Sequence, residues 1–491
     1  MENVKGLISK YIPVFISSKK DSSDQEYIHV KREEEVDDDD YEFGGKTCAV
    51  EAGDEDNGEE KEKEKTLDET SGTKGISSDV PQKSTTSLQA AWNISNLIQG
   101  TGTLGIPYAV SKGGYMALVA IVFIAVITNY TGKLIIECLY ERPMNADGKR
   151  GRRLRKSYAA LGQSCWKRKG ALLVCAAQVM QLTCACVLYL MLVTDFFYDL
   201  FEHKGLSRTA WSILAGVVLL PSIFLNQLNR ISWLSMFSVF ALVMVFLTVI
   251  GYGVSQRYSW DAHMPFTTPQ GLPVAWGIIL FSFVCHPYLP GIEENMTSPE
   301  SFDQVMNYSF IISAATKLIY GFIAVLTFKQ DTKQEISENL PAGALENTAN
   351  GFLGLNGLFS YALPTFTLFT VLNKARLPCL PRCFPDEKTP FTKQERGVVY
   401  LLRAVFVVLT VAIAVFVPEF SLLMAIIGSI SGVFLTLVFP PLFYIILHLE
   451  HISSKQYVVN ILIVCVGVLS GGFGLVFSVI ALMKVYLTGE D

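Results

Sequence analysis

Gly100-Thr101-Gly102-Thr103-Leu104-Gly105-Ile106-Pro107 lies inside an apolar run covering residues 88–111, and that setting decides how it reads. As a string it contains G-x-G-x-x-G. The dinucleotide fingerprint of that form needs a strand before it and an acidic residue about 20 positions later on a second strand. Here a second apolar run, 114–139, follows instead, which removes the nucleotide reading. Three glycines in so short a stretch, with a proline two positions on, favour local unwinding of a helix, because glycine is permissive and proline withdraws a backbone donor. The competing reading is a glycine-rich face on which a neighbouring helix packs.

Working outward, apolar runs bounded by charged or Pro/Gly-rich segments fall near 88–111, 114–139, 170–200, 209–225, 231–254, 272–293, 303–328, 345–372, 396–417, 419–447 and 457–483. Runs of about 20 residues match ~30 Å of hydrocarbon, and in lipid each must satisfy its own backbone, so they read as helices. The expected fold class is an all-α integral membrane protein of about eleven transmembrane helices. Only the separation of the ninth and tenth spans, marked by Pro418 and Glu419, is open to argument.

The 491-residue chain is half hydrophobic and 17% charged, and about half of its acidic residues precede Ser87. Residues 1–86 are polar and carry the acidic run Glu33–Asp40 and the mixed-charge run Glu59–Lys65, so they are expected to form a disordered cytosolic tail. Sorting or adaptor partners for this tail are the alternative to a merely solvated segment. No small-residue cleavage site follows the weakly amphipathic start, so no signal peptide is expected.

Basic residues gather in the loop after span two (Arg142, Lys149, Arg150, Arg152, Arg153, Arg155, Lys156, Lys167, Arg168, Lys169) and after span eight (Lys374, Arg376, Arg382, Lys388, Lys393, Arg396). Loops on the other face hold far fewer, such as Lys204 and Arg208, or Arg257 alone. Cytoplasmic loops retain positive charge, so the N-terminus is expected in the cytosol and the C-terminus on the far side. The 149–156 cluster could also touch anionic membrane lipid. In this topology Asn93, Asn129 and Asn307 lie within spans and Asn295 on a cytosolic loop, leaving none of these triplets glycosylated. The ten cysteines imply no disulfide framework, and Cys379 with Cys383 reads as free or lipidated thiols rather than a zinc site.

A second interruption, Cys285-His286-Pro287-Tyr288-Leu289-Pro290-Gly291, falls in span six. Breaks in the first and sixth spans are five spans apart, as in two inverted five-helix repeats. The divisions expected are 87–254 for the first repeat, 255–447 for the second, and 448–491 for an eleventh helix and short luminal C-terminus. Unwinding frees backbone amides and points the positive end of a half-helix into the break, where a carboxylate can be held. The expected substrate site is therefore Gly100, Thr101, Gly102, Thr103 and Gly105 with Asn96, faced by Phe281, Ser282, Phe283 and His286. The chemistry indicated is secondary transport of a small amino acid.

Ionisable groups within the bilayer need a reason. Lys317 lies midway through span seven and should face a partner or the cavity. His286, Lys317, Glu293 and Asp195 are the proton-coupling candidates, although Glu293 and Asp195, with Glu137, Glu294, Arg403 and Glu419, lie near span ends where long side chains can snorkel to the interface.

Trp92-Asn93-Ile94-Ser95-Asn96-Leu97-Ile98-Gln99-Gly100, Leu104-Gly105-Ile106-Pro107-Tyr108-Ala109 and Gly113-Gly114-Tyr115 resemble the amino acid/auxin permease family. Further matching stretches are Tyr130-Thr131-Gly132-Lys133, Cys138-Leu139-Tyr140-Glu141, Glu294-Asn295-Met296, Asn339-Leu340-Pro341, Ser360-Tyr361-Ala362-Leu363-Pro364 and Gly428-Ser429-Ile430, so the likeness covers spans one to ten. The resemblance, which is to the family's vesicular members in particular, implies a leucine-transporter-type fold, a synaptic-type vesicle location, and exchange of luminal protons for cytosolic GABA or glycine. Gln181 and Thr370 stand where those members carry acidic residues, and Glu419 where they carry a histidine.

No cofactor is expected beyond the proton gradient as driving force, with a role for chloride left open, and no nucleic-acid partner. No nucleophile and base, metal cluster or nucleotide loop marks an enzyme, and no pore loop marks a channel. Two alternatives stay on the table: a lysosomal or plasma-membrane carrier for neutral amino acids, and an amino-acid-sensing scaffold that recruits partners through residues 1–86.

Overall fold

The computed structural model describes residues 85–141, 151–201, 206–224, 228–260, 264–375, 383, 392–449 and 452–488. All of these fall in the compact unit Asp79–Asp491. The acidic tail up to residue 84 and Arg142, Lys149, Arg150, Lys204, Arg376, Cys379, Arg382 and Lys388 lie outside the described residues.

Among the described residues the secondary structure is helical apart from two isolated bridges, Thr85 to Met296 and Tyr140 to Arg153. The first apolar run is three helices in series: α1 (Ser87–Gln99), the single turn α2 (Thr101–Leu104) and α3 (Ile106–Gly113). α1 starts on a capping box, in which Thr86 Oγ1 accepts from the Gln89 amide and Gln89 Oε1 accepts from the Thr86 amide. Gly100, with φ −53° and ψ −152°, interrupts the ladder, and Pro107 in the first turn of α3 needs no donor there. α4 (Tyr115–Leu139), α5 (Tyr158–Leu200), α6 (Arg208–Leu219) and α7 (Leu228–Ser255) follow. α5 is not one straight rod, because Trp166 and Lys167 have non-helical torsions and Lys167 sits at φ 52°. The stretch before the kink folds back so closely that a Cβ on Gly170 would lie 2.0 Å from the Gly162 carbonyl oxygen.

The sixth run is divided as its prolines predict, into α8 (Gly271–Ser282) and α9 (Leu289–Glu294), with Phe283 to Tyr288 between them. α10 (Phe302–Phe328) is continuous. The eighth run divides unexpectedly at Tyr361, into α11 (Ala344–Ser360) and α12 (Ala362–Ala375). α13 (Lys393–Phe416) ends before Pro418 and α14 (Phe420–Ile427) begins just after Glu419, so the ninth and tenth runs are separate. The tenth is not a simple helix: α14 passes through wide turns at Gly428–Gly432 and Phe434–Val438 before α15 (Phe439–Leu447). Pro440 and Pro441 have no N–H to return to the preceding turn, which favours such widening. α16 (Ser454–Thr488) closes the described chain.

Eight of these helices or helix pairs are long and apolar enough to cross a membrane, while Arg208–Ser222 and Gly271–Ser282 are apolar but shorter. The length criterion therefore stops short of the eleven spans expected, because breaks and short helices divide several of them. Exposed apolar side chains such as Leu462, Leu469, Phe473 and Ile480 on α16 are what a lipid-facing helix requires. Inside, α3 packs on α8, α1 on α10, and α11 on both α5 and α7, which brings the interrupted helices together.

Candidate functional site

The two expected breaks meet at a close approach of their backbones. A Cβ placed on Gly102 would lie 2.5 Å from the Ser282 Cα and 2.8 Å from its Cβ, so only glycine lets α2 and the end of α8 touch. Beside this contact lies a cavity of about 50 Å³, lined from α1 and α2 by Asn96, Gly100, Thr101 and Gly102 and from α8 and its break by Phe281, Ser282, Val284 and Tyr288. Gln181, Leu182, Ala185 and Tyr189 of α5 form a third wall, and Phe359, Ser360, Leu363 and Pro364 at the α11–α12 junction form a fourth. No charged side chain lines it. The space accommodates a few waters, at roughly 10–15 Å³ each.

The polar groups that do line it come largely from helix interruptions. The Tyr189 hydroxyl faces the Thr101 backbone and the Ser360 side chain, bringing α5 against two of the breaks. Gly100 sits against that hydroxyl, 2.8 Å from where a Cβ would be. Pro364 has no N–H to return to the Ser360 carbonyl, so this junction too leaves a peptide oxygen short of its helical donor. Gln181 accepts from Ser431 Oγ at 2.7 Å, which links the cavity wall to the widened turns of the tenth run.

Not every expected residue reaches the cavity. Thr103 is fully buried and Gly105 packs against Met424, Ile278 and Ser421; both leave the lining because a one-turn helix presents Thr101 and Gly102 on one side and turns the next residues away. Phe283 stacks on Phe310, with ring centroids 6.0 Å apart, behind the cavity wall. His286 is wholly buried away from the cavity, its Nε2 3.1 Å from Thr131 Oγ1 on α4. The unwinding after Ser282 carries these two side chains past the opening. Tyr189, Tyr288, Ser360 and Pro364 are not among the expected site residues; Tyr288 carried a signal as part of the second break and Ser360–Pro364 as part of the family likeness, whereas Tyr189 carried none.

The other titratable candidates separate into three further places. Lys317 of α10 is completely buried, and its ammonium donates to the Ile98 carbonyl at 3.0 Å, the Ser282 carbonyl at 2.6 Å and Ser282 Oγ at 2.8 Å. Ile98 is in the last turn of α1 and Ser282 is the last residue of α8, so one cation satisfies the orphan carbonyls of both interrupted helices. It also lies 3.9 Å above the Phe283 ring centroid. Glu293 of α9 does not snorkel: it is 1% exposed, accepts from the Tyr140 hydroxyl and lies 3.5 Å from Arg153 Nη1. Arg153 also donates to the Pro290 carbonyl at 3.0 Å, fixing α9 to the connection after α4. Asp195 pairs with Arg208 at 2.8 Å at the far end of α5.

The family of transmembrane amino acid transporter proteins matches residues 83–480, which takes in every element of this site. The chain belongs to that family. This amino acid transporter is 34% identical to the vesicular inhibitory amino acid transporter of Homo sapiens, over 83% of its own length and 78% of the relative's, and equally to the Xenopus laevis protein of that name over 84% and 79%. The vesicular GABA transporter of Caenorhabditis elegans is 32% identical over 73% of this transporter and 72% of that chain. Among solved structures, a nucleobase-cation-symport-1 family transporter in a closed conformation is 10% identical, covering 82% of this chain and 92% of that one with a TM-score of 0.48. The transporter is thus a multi-pass membrane protein whose relatives move amino acids rather than catalyse reactions.

Proposed function

We propose that this transporter is a proton-coupled antiporter that loads a small neutral amino acid, such as GABA or glycine, into vesicles. The observation that carries the reading is the uncharged cavity built on three helix interruptions. A zwitterion has no net charge to neutralise, and its two ends are matched by peptide dipoles: amide donors of the Gly100–Gly102 turn for the carboxylate, and carbonyls such as that of Ser360 for the amine. The small volume favours a substrate with a short side chain or none.

Transport then follows from rocking of residues 87–254 against 255–447 about the contact of Gly102 with Ser282, the N-terminus being cytosolic and the C-terminus luminal. Lys317 is the coupling group in this scheme. The ammonium has one hydrogen for each of the three donated bonds that hold α1 to α8, and losing a proton would leave two donors for three acceptors and no charge, which would loosen the two helix ends. The likeness to vesicular inhibitory amino acid and vesicular GABA transporters supports the vesicular location and the inhibitory amino acid substrate.

Uptake of radiolabelled GABA, glycine, alanine and glutamine into proteoliposomes acidified inside tests this. Concentrative, proton-driven uptake of GABA or glycine is expected. Preference for alanine or glutamine would move the chain to a general neutral amino acid carrier, and no concentrative uptake of any of the four sinks the transport mechanism.

A further inference from the structure

Away from the cavity, where α5 ends and the α10–α11 connection crosses it, two carboxyl groups meet without enough donors. Asp195 bonds Arg208, at the start of α6, through Oδ1, whereas its Oδ2 is buried with no hydrogen-bond partner among the described residues. Glu335, on the connection, is 6% exposed, and its Oε1 is likewise buried and unpartnered. The two side chains lie within hydrogen-bonding reach of one another. Ionised carboxylates only accept, so this approach becomes a bond only when one of the oxygens carries a hydrogen.

We propose that Asp195 and Glu335 form a carboxyl–carboxylate pair that binds a single proton at the end of the bundle remote from Arg153. The charge count around it agrees. Arg208 balances one carboxylate and Lys333 lies 3.5 Å from Glu338 on the same connection, while Asp199 of α5, which accepts from the uncharged amide of Asn350 of α11, adds a nearby negative charge that favours keeping a proton on the pair. With one proton the Asp195–Glu335–Arg208 group is neutral, and without it a buried negative charge has no partner. Burial first, and then the Asp195 and Glu338 charges, hold the Glu335 carboxyl well above the usual carboxylate range, with Arg208 opposing. Proton occupancy is therefore complete at acidic pH and is lost as pH rises through that elevated ionisation.

The site is placed to act mechanically. Gln334, the neighbour of Glu335, accepts from the Ser421 amide at 3.0 Å through Oε1 and from Ser421 Oγ at 2.9 Å through its carbonyl, and donates to Glu419. One short connection thus straps α5 and α6 to the start of α14. A proton closes the strap at Glu335, and its loss sets two anions against each other there. The proposal takes from the transport reading only the side faced, the acidic lumen, so the proton would arrive from the compartment that supplies the driving force.

Infrared difference spectroscopy on the purified full-length protein in nanodiscs, titrated from about pH 4 to about pH 8, reads the proton directly, since exposed carboxyls ionise near 4. A protonated-carboxyl band with a midpoint more than about one pH unit above that range, removed by both Glu335→Gln and Asp195→Asn, is expected. If one variant fails to accumulate, the other decides. Absence of such a band in the intact chain, or its survival in the variants, overturns the pair. The two proposals fail separately: the band without uptake of any amino acid retains the pair and removes the transport reading, and uptake without the band does the reverse.

Discussion

Gly102→Ala is the sharpest test of the central contact. The added methyl would sit 2.5 Å from the Ser282 Cα, whereas carbon atoms rest at about 3.5–4.0 Å, so the shortfall is about 1 Å or more. The obstacle is main chain, and a flexible side chain cannot swing aside to relieve it. Ser282 is moreover held by Lys317 through both its carbonyl and its hydroxyl, so relief requires α2 and α8 to separate and that cation to lose a partner. Overpacking of this kind costs roughly 1–3 kcal/mol, a loss of a few degrees in melting temperature, while a displacement of about 1 Å at a binding site can reduce rates by about 100-fold. We expect Gly102→Ala to accumulate in membranes and to lose at least tenfold in initial uptake rate. Gly291→Ala, beside the other break, is the control, since nothing lies within 4 Å of a Cβ there. A Gly102→Ala transporter with the parental rate and melting temperature would refute the argument that the two breaks touch.

Three further outcomes follow from the same geometry. Tyr189→Phe removes the hydroxyl that faces Thr101 and Ser360 and should raise the KM for uptake by about tenfold, the equivalent of one hydrogen bond at ~1.4 kcal/mol; an unchanged KM would remove Tyr189 from the site. Lys317→Met should abolish proton-driven uptake yet change thermal stability by no more than about 2 kcal/mol, because the orphaned carbonyls are offset by no longer burying an ammonium; uptake retained in this variant would exclude Lys317 from coupling. Arg153→Ala leaves buried Glu293 without its cation and should lower stability by about 1–3 kcal/mol, reduced from a fully buried pair because Arg153 is 20% exposed. A thermal-shift assay reads it, and no shift would mean the pair contributes nothing.

The parts of the fold legible in the sequence were those with a covalent signature. Three glycines and Pro107 marked the first break, and Pro287 and Pro290 the second, because missing side chains and missing N–H groups disrupt a helix whatever surrounds it. The interruption at Tyr361 was not read, since a lone Pro364 in a long apolar run is tolerated in membrane helices. Lys317 was recognisable as a residue in need of a partner, but its partners are two peptide carbonyls, which no sequence pattern names. His286 illustrates the opposite error. Its place in the break suggested the cavity, yet an unwound chain has no fixed 3.6-residue period, and the ring turned toward Thr131. The α5 wall, including Tyr189, depends wholly on tertiary packing.

The Ser360–Pro364 junction has one more consequence. An acceptor produced by a proline four residues away belongs to the main chain, so replacing Ser360 alters a hydroxyl and leaves the carbonyl where it was. If the proposed site holds an amino acid, its selectivity could be retuned through the side chains around the pocket while this main-chain acceptor for the amine stayed in place.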